Sequence, residues 1–214
     1  MEYKYMLQIY LVRHGETEWN INDYIQGQSD SNLTEIGIKQ INLVAKKMKY
    51  FGITHIISSD LGRAKKTANI ISQLSGCDIT YEPKLRELHM GILEGRAVNT
   101  LNHKEREWYK SLINGNIKTR IPNGETINEL SQRMHDVLEN CRFLPKNSIP
   151  VLVSHGIGLS ILINRILGVP SNRKRRLRLR NCSISKIYYQ DIQTKLFDGW
   201  FIETIGDISH LNTL

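Results

Sequence analysis

The sequence has few cysteines, and their placement excludes two classes of small protein. Its 214 residues include three, Cys77, Cys141 and Cys182. They are widely spaced, odd in number and outside any C-x-x-C pair, so the sequence predicts neither a disulfide framework nor a zinc knuckle. Free thiols are typical of a reducing compartment, and we expect the protein in the cytoplasm.

Long apolar runs are also missing. The most apolar segment, residues 157–169, includes Ser160, Asn164 and Arg165. It is shorter than the ~20 residues that a membrane span requires, so we expect a core helix there and no contact with a membrane. Residues 1–6 are polar and lead directly into a strand pattern, unlike the apolar core of a signal peptide.

The composition is that of a folded domain with excess positive charge. Hydrophobic residues at 40% and charged residues at 23% exclude disordered, collagen-like and coiled-coil classes. The length predicts a single domain over residues 1–214. A net charge of +8 suits nucleic acid, an anionic membrane or a phosphorylated small molecule, and charge alone does not choose among them.

The periodicity of apolar residues predicts an α/β fold. Strand patterns occupy residues 7–12, 54–58, 78–81, 150–154, 183–189 and 195–203. Helical patterns begin at an N-cap Thr34, at a cap on Ser59 or Asp60, and at residues 125 and 157. We expect three layers, a mainly parallel sheet flanked by helices on both faces, with a small helical insertion at about residues 96–124. The segment 85–91 is short and polar, which predicts a loop outside the core.

Two predicted strands end in a histidine followed by a glycine, at His14 and at His155 with Gly156. Because the carboxyl ends of parallel strands share one edge of a sheet, we expect the two imidazoles to meet there. Arg13 and Arg63 are predicted at the same edge. Guanidinium groups bind phosphate oxygens in a planar, bidentate manner, so this group of residues predicts an anion clamp.

A metal site is the alternative for these residue types, since histidine and carboxylates ligate zinc or manganese. The sequence contains no H-E-x-x-H or comparable ligand spacing. Arg13 and Arg63 would also repel a divalent cation. We therefore expect no metal.

These residues lie in longer motifs that together resemble the histidine phosphatase superfamily. The motifs follow in the family's order and span nearly the whole chain: Leu11-Val-Arg-His-Gly-Glu-Thr-Glu-Trp-Asn20, Ser58-Ser-Asp-Leu-x-Arg63-Ala-x-x-Thr67, Leu85-Arg-Glu87 and Val153-Ser-His155-Gly156. Within the superfamily, the sequence is most similar to the probable phosphoglycerate mutase B subgroup of enteric bacteria.

The resemblance implies a phosphoglycerate mutase-like fold and an enzyme that passes a phosphoryl group through a phosphohistidine. It makes His14 the nucleophile, and it implies that the equatorial oxygens of the phosphoryl group are bound by Arg13, Arg63 and His155. It also makes Glu87 the group that protonates the leaving oxygen and later takes a proton from water or an acceptor hydroxyl. The substrate contacts that it further implies are Asn20, Gln26, Gly27, Leu88, His89, Met90 and Gly156, while Trp19 is expected to serve packing.

The chain departs from the mutases of this family where they contact phosphoglycerate. Those enzymes carry a tyrosine and a lysine after the glutamate, and this chain has Met90 and Val98 there. Its insertion has single Arg106 and Arg120 in place of an arginine pair. The lysines that could substitute are Lys65, Lys104, Lys110 and Lys118.

Two reactions on a small phosphorylated metabolite therefore stay open. A mutase would return the phosphoryl group to another hydroxyl of phosphoglycerate in glycolysis, with 2,3-bisphosphoglycerate as the priming donor. A phosphatase would pass it to water. A binding protein without activity is a third hypothesis, and the complete set of charged and imidazole groups argues against it.

Six basic residues lie between Arg173 and Arg180. They make nucleic-acid binding a further alternative. However, their alternation with Leu177 and Leu179 predicts one apolar and one solvated face, and no aromatic platform accompanies them. We expect a solvated face or a contact within a homo-oligomer.

Overall fold

A computed structural model describes residues 6–170, 172–174, 176–190, 199–212 and 214. Within these residues, six strands form one sheet in the order β3-β2-β4-β1-β5-β6. They are β1 (Met6–Arg13), β2 (His55–Ser58), β3 (Ile79–Tyr81), β4 (Pro150–Ser154), β5 (Ile184–Gln190) and β6 (Gly199–Asp207). Strands β1 to β4 are parallel, whereas β5 is antiparallel to both β1 and β6. The predicted mainly parallel sheet is confirmed.

Most of the described helices follow the predicted patterns, whereas the short first helix was not predicted. They are α1 (Glu18–Ile21), α2 (Glu35–Tyr50), α3 (Gly62–Ser75), α4 (His103–Ile113), α5 (Ile127–Asn140) and α6 (Gly156–Ile166). Helix α4 lies in the segment predicted as an insertion. None of the helices in the described part of the chain combines the length and apolarity that crossing a bilayer demands.

The helix starts show where local sequence decides and where it does not. Thr34 caps α2 as predicted, because its hydroxyl accepts the backbone N–H three residues later at 2.8 Å. Helix α3 has no cap from Ser59 or Asp60. Instead, the distant carboxylate of Asp30 accepts the N–H of Gly62 at 2.6 Å and stabilises the first turn.

The core consists of two layers, one on each face of the sheet. Alternate residues of β1 point to opposite faces. Ile9 and Leu11 pack with residues of α5 and α6 in one cluster. Tyr10 and Val12 pack with residues of α2 and α3 in the other. The chain therefore has the three-layer α/β architecture that its periodicity predicts.

The segment 85–91 differs from its prediction. Leu85 and Leu88 are fully buried in the cluster that contains α5 and α6, although their surroundings in the sequence are polar. Burial of these two leucines fixes the loop onto the core. Two other predictions lie partly outside the described residues: the basic segment at Arg175, and the last strand at residues 195–198.

Candidate active site

The two histidines meet at the carboxyl edge of the sheet. Strands β1 and β4 are adjacent and parallel, with Arg13 paired to Ser154. The next residue of each chain segment is therefore a histidine at the same edge. The ring centroids of His14 and His155 are 5.1 Å apart. This is the meeting that the two strand ends predict.

His14 has a defined tautomer. Its Nδ1 lies 2.7 Å from the carbonyl oxygen of Gly15, and because a carbonyl only accepts, Nδ1 carries the proton. Nε2 then holds the lone pair. Burial, followed by the charges of Arg63 and Arg13, holds the pKa of His14 well below 6.5. The imidazole is therefore neutral at pH 7.

His155 is fully buried beside His14. Its Nε2 forms a 2.8 Å hydrogen bond with the hydroxyl of Ser59, which follows β2. Burial and the charge of Arg63 also hold the pKa of His155 well below 6.5. Within the described residues, its Nδ1 is buried without a hydrogen-bond partner. His155 therefore packs against His14, and it does not line the cavity itself.

Arg63 is held by the loop that precedes α2. Its Nη1 donates to the carbonyl of Ser29 and to the carboxylate of Asp30, and its Nη2 donates to the carbonyl of Gly27, each at 2.7 Å. Only 2% of the residue is exposed, yet it borders the cavity. Among the described residues, Nε is buried without a partner and Nη2 has a second N–H, so two donors remain for an anion.

Arg13 borders the same cavity from the end of β1. Its Nη1 donates to the carbonyl of Leu179 at 2.6 Å. A side chain at Gly156 would place its Cβ 3.2 Å from Arg13 Nε, so the glycine leaves room for the guanidinium. Two guanidiniums are thereby fixed beside the neutral imidazole of His14.

Glu87 is held at the N-terminus of α6. Its Oε1 accepts the N–H groups of Leu88 and Gly158 at 2.9 Å, and its Oε2 accepts that of Ile157 at 3.0 Å. A carboxylate has about four acceptor positions, so these three bonds orient it and leave one position on Oε2. Glu87 is nearly buried and borders the cavity, where that position can exchange a proton.

An ion pair that sequence reasoning missed supports Glu87. Arg133 on α5 lies 2.5 Å from Glu125, and its guanidinium also donates to the backbone carbonyls of Lys84, Arg86 and Glu87 at 2.6 to 2.9 Å. These contacts tie the loop to α5. No local motif predicts them, because they join residues more than 45 positions apart in the sequence.

The cavity in front of His14 has a volume of about 510 Å³. Of the predicted substrate contacts, five line it: Asn20, Gln26, Gly27, Met90 and Gly156. The cavity wall also contains Trp19, which was expected to serve packing only, and Tyr109, Arg178 and Arg180, which were not expected there. In the sequence, Arg178 and Arg180 alternate with leucines, and this pattern predicts that the arginines lie on a polar face. The pattern does not show whether that face borders solvent or a cavity.

Three predicted substrate contacts lie outside the wall of this cavity. The Nζ of Lys65 lies over the ring of Tyr81, 4.9 Å from its centroid, which directs it away from the cavity. Leu88 is fully buried in the core. The backbone N–H of His89 donates to the carboxylate of Glu125. The ring Nε2 of His89 lies 3.9 Å from the carboxylate of Glu94, and the residue does not line the cavity.

The described residues contain no group of three or more histidine, cysteine or acidic side chains arranged to hold a metal ion.

A three-layer α/β fold with two imidazoles and two guanidiniums at the strand ends is the arrangement of an enzyme that transfers phosphoryl groups. The sequence model of the histidine phosphatase superfamily (branch 1) matches residues 9–199, and the chain belongs to this family.

Similar proteins carry names of two activities. A curated relative from Escherichia fergusonii, named probable phosphoglycerate mutase GpmB, is 56% identical over 207 residues, which are 97% of this chain and 96% of the relative. The structure of phosphoglycerate mutase from Bacillus anthracis has a TM-score of 0.77 and 27% identity, covering 97% of this chain and 96% of that one. The alpha-ribazole phosphatase from Shigella flexneri has a TM-score of 0.78 and 26% identity, covering 94% and 96%. This chain is an enzyme of the phosphoglycerate mutase or phosphatase type.

Proposed function

We propose that this protein is a phosphatase that hydrolyses phosphomonoesters through a phosphohistidine at His14. The observation that carries the proposal is the state of this imidazole. Its Nδ1 proton is held by the carbonyl of Gly15, and its depressed pKa leaves the Nε2 lone pair free at pH 7. A neutral imidazole is a competent nucleophile toward phosphorus.

In the first step, Nε2 of His14 attacks phosphorus as the bond from phosphorus to the ester oxygen breaks. Glu87 donates a proton to the leaving oxygen, which departs as an alcohol. Arg13 and Arg63 neutralise the charge on the equatorial oxygens, and such electrostatic stabilisation accounts for most of phosphoryl-transfer catalysis.

In the second step, water attacks phosphorus on the opposite side of the nitrogen. The carboxylate of Glu87 takes a proton from the water, the bond from nitrogen to phosphorus breaks, and its electron pair returns to Nε2 of His14. Inorganic phosphate leaves, and Glu87 again carries the proton that the first step needs. The N–H groups of α6 keep the carboxylate in one orientation through both steps.

Water is the favoured acceptor because of the cavity wall. Met90 and Val98 line it at the positions where the resemblance implies a tyrosine and a lysine in the mutases. Neither side chain can form the polar contacts with phosphoglycerate that a tyrosine and a lysine would form in a mutase. The second candidate, a phosphoglycerate mutase, is favoured by the name of the 56% identical relative.

Incubation with 3-phosphoglycerate, with and without 2,3-bisphosphoglycerate, separates the two candidates. We expect free phosphate and no 2-phosphoglycerate under either condition. Formation of 2-phosphoglycerate that depends on the bisphosphate, without free phosphate, would establish the mutase instead. A panel of other phosphomonoesters run in parallel shows whether a low rate reflects the leaving group.

A further inference from the structure

We infer that Arg178 and Arg180 form a second anion site in the cavity, which binds a negatively charged group of the substrate other than the transferred phosphoryl group. The inference rests on the proposed function only in placing the transferred phosphoryl group at His14. It predicts that the preferred substrates are phosphomonoesters that also carry a carboxylate or a second phosphate.

The segment from Leu177 to Asn181 has an apolar side and a cavity side. Leu179 is only 5% exposed and belongs to the core, and Leu177 packs partly against the same cluster. Arg178, Arg180 and Asn181 line the cavity, and Leu179 also borders it. The polar face that the sequence assigned to bulk solvent or to a subunit contact therefore borders the active site.

This segment is fixed relative to the nucleophile. The carbonyl of Leu179 accepts the Arg13 guanidinium at 2.6 Å. The side-chain amide of Asn181 donates to the carbonyl of His14 at 3.0 Å and to the side-chain oxygen of Asn20 at 3.1 Å. Arg178 and Arg180 are thus attached to backbone that moves together with His14.

The two guanidiniums keep their charge available for a ligand. Within the described residues, neither side chain forms a hydrogen bond or an ion pair. Other arginines of the chain are paired with carboxylates: Arg63 with Asp30, Arg86 with Asp60, Arg96 with Glu105, Arg120 with Glu129 and Arg133 with Glu125. Because Arg13 and Arg63 serve the transferred phosphoryl group, the second pair is left for another anion.

The lysines named as substitutes for the missing mutase contacts do not supply this site. Lys65 lies over Tyr81, and Lys104 lies over Trp108 at 5.0 Å from its centroid. Lys110 lines a neighbouring groove that shares Asp23, Val98 and Tyr109 with the cavity, and Lys118 lines a separate surface groove. All four are described residues, and none lines the cavity.

Three glycerol derivatives that differ at one carbon test the inference. Glycerol 3-phosphate is the reference compound, because its phosphate is its only anionic group. 3-Phosphoglycerate adds a carboxylate, and glycerol 1,3-bisphosphate adds a second phosphate. We expect the wild-type protein to prefer one or both anionic compounds in kcat/KM for phosphate release. In the R178A/R180A variant, this preference falls about tenfold or more, because each guanidinium provides charge-assisted hydrogen bonds. The value for glycerol 3-phosphate, which has no second anionic group, should fall by a smaller factor.

R176A is the matched control, since Arg176 is an exposed arginine of the same segment outside the cavity wall. It should keep the wild-type preference. An equal loss for all three compounds in R178A/R180A, or no change in preference, would overturn the inference. Calorimetric titration of the three compounds into His14→Ala protein separates it from the proposed function: tighter binding of the anionic compounds supports the second anion site even without turnover, and equal binding removes it.

Discussion

The cavity has two ends that are built differently. At the phosphoryl end, His14 and Arg63 are each 2% exposed and Glu87 is 9% exposed, and backbone groups hold all three. At the other end, which we call the exposed end, Arg178 and Arg180 are exposed, as is Tyr24, which stacks on a neighbouring tryptophan. One end is internal, and the other consists of surface side chains.

This difference separates chemistry from substrate choice. A change at the buried end disturbs several hydrogen bonds and the packing at once, because unpaired buried polar groups are costly. A change at the exposed end alters one contact with the substrate at little cost in stability. Variants should therefore divide into those that lower the rate for every substrate and those that change only the order of substrates.

The largest expected effect comes from His14→Ala, which removes the proposed nucleophile. We expect turnover to fall at least about 10³-fold for every phosphomonoester, as for other covalent nucleophiles. Acid-labile phosphate on the protein should disappear as well. His103→Ala is the control, because His103 is an exposed residue of α4. If the His14 variant still acquired acid-labile phosphate and turned over, His14 would not be the nucleophile.

Glu87→Gln should have the next largest effect, and its size should depend on the leaving group. Glycerol 3-phosphate needs a proton on its leaving oxygen, so we expect a loss of about 10²-fold or more. p-Nitrophenyl phosphate needs none, so phosphorylation of His14 should fall less than hydrolysis does. Rapid-quench measurement would then show phosphoenzyme accumulating. Equal losses in both steps and for both substrates would assign Glu87 to binding or folding.

Arg133→Met tests whether the chemistry depends on positioning from α5. Glu125 and three backbone carbonyls lose their donor, and we expect the free energy of unfolding to fall by about 2 kcal/mol. The kcat for glycerol 3-phosphate should fall about tenfold through Glu87, with a smaller change for p-nitrophenyl phosphate.

Arg120→Met is the control for this variant, because Arg120 pairs with Glu129 on the surface at 2.6 Å with both side chains about half exposed. Arg120→Met should change neither the free energy of unfolding nor kcat appreciably. A loss of stability in Arg133→Met without any dependence of kcat on the leaving group would show a structural role alone.

The sequence predicted the buried end better than the exposed one. His14 and His155 follow apolar strands, and parallel strands present their ends at one edge. Periodicity also placed Thr34 at the start of α2. It could not find Asp30, which caps α3 and binds Arg63, or Arg133, because these contacts depend on tertiary packing.

Three differences between the sequence predictions and the structure have a common physical cause. Alternation with leucines shows which side of Arg178 and Arg180 is buried, but what the other side faces depends on the rest of the fold. Lys65 had the right charge and position in the chain, yet the ring of Tyr81 binds it elsewhere. Leu88 lies in a polar segment, and its burial comes from packing against distant helices.

The smallest expected effect concerns pH and compares a buried imidazole with an exposed one. Burial, Arg63 and Arg13 hold the pKa of His14 well below 6.5, so in the folded protein it stays neutral as the pH falls through 6.5. The unfolded chain takes up a proton there. The free energy of unfolding therefore decreases below about pH 6.5, by at most about 1.4 kcal/mol per pH unit for this imidazole.

Denaturant unfolding at several pH values between 5 and 8 measures this loss. In His14→Gln, the buried imidazole is gone, and the slope of stability against pH below 6.5 should become smaller than in the wild-type protein. His103→Gln should keep the wild-type slope, because His103 is an exposed residue of α4 outside the cavity wall. Equal slopes in all three proteins would mean that His14 is protonated in the folded state, and a protonated imidazole has no lone pair with which to attack phosphorus.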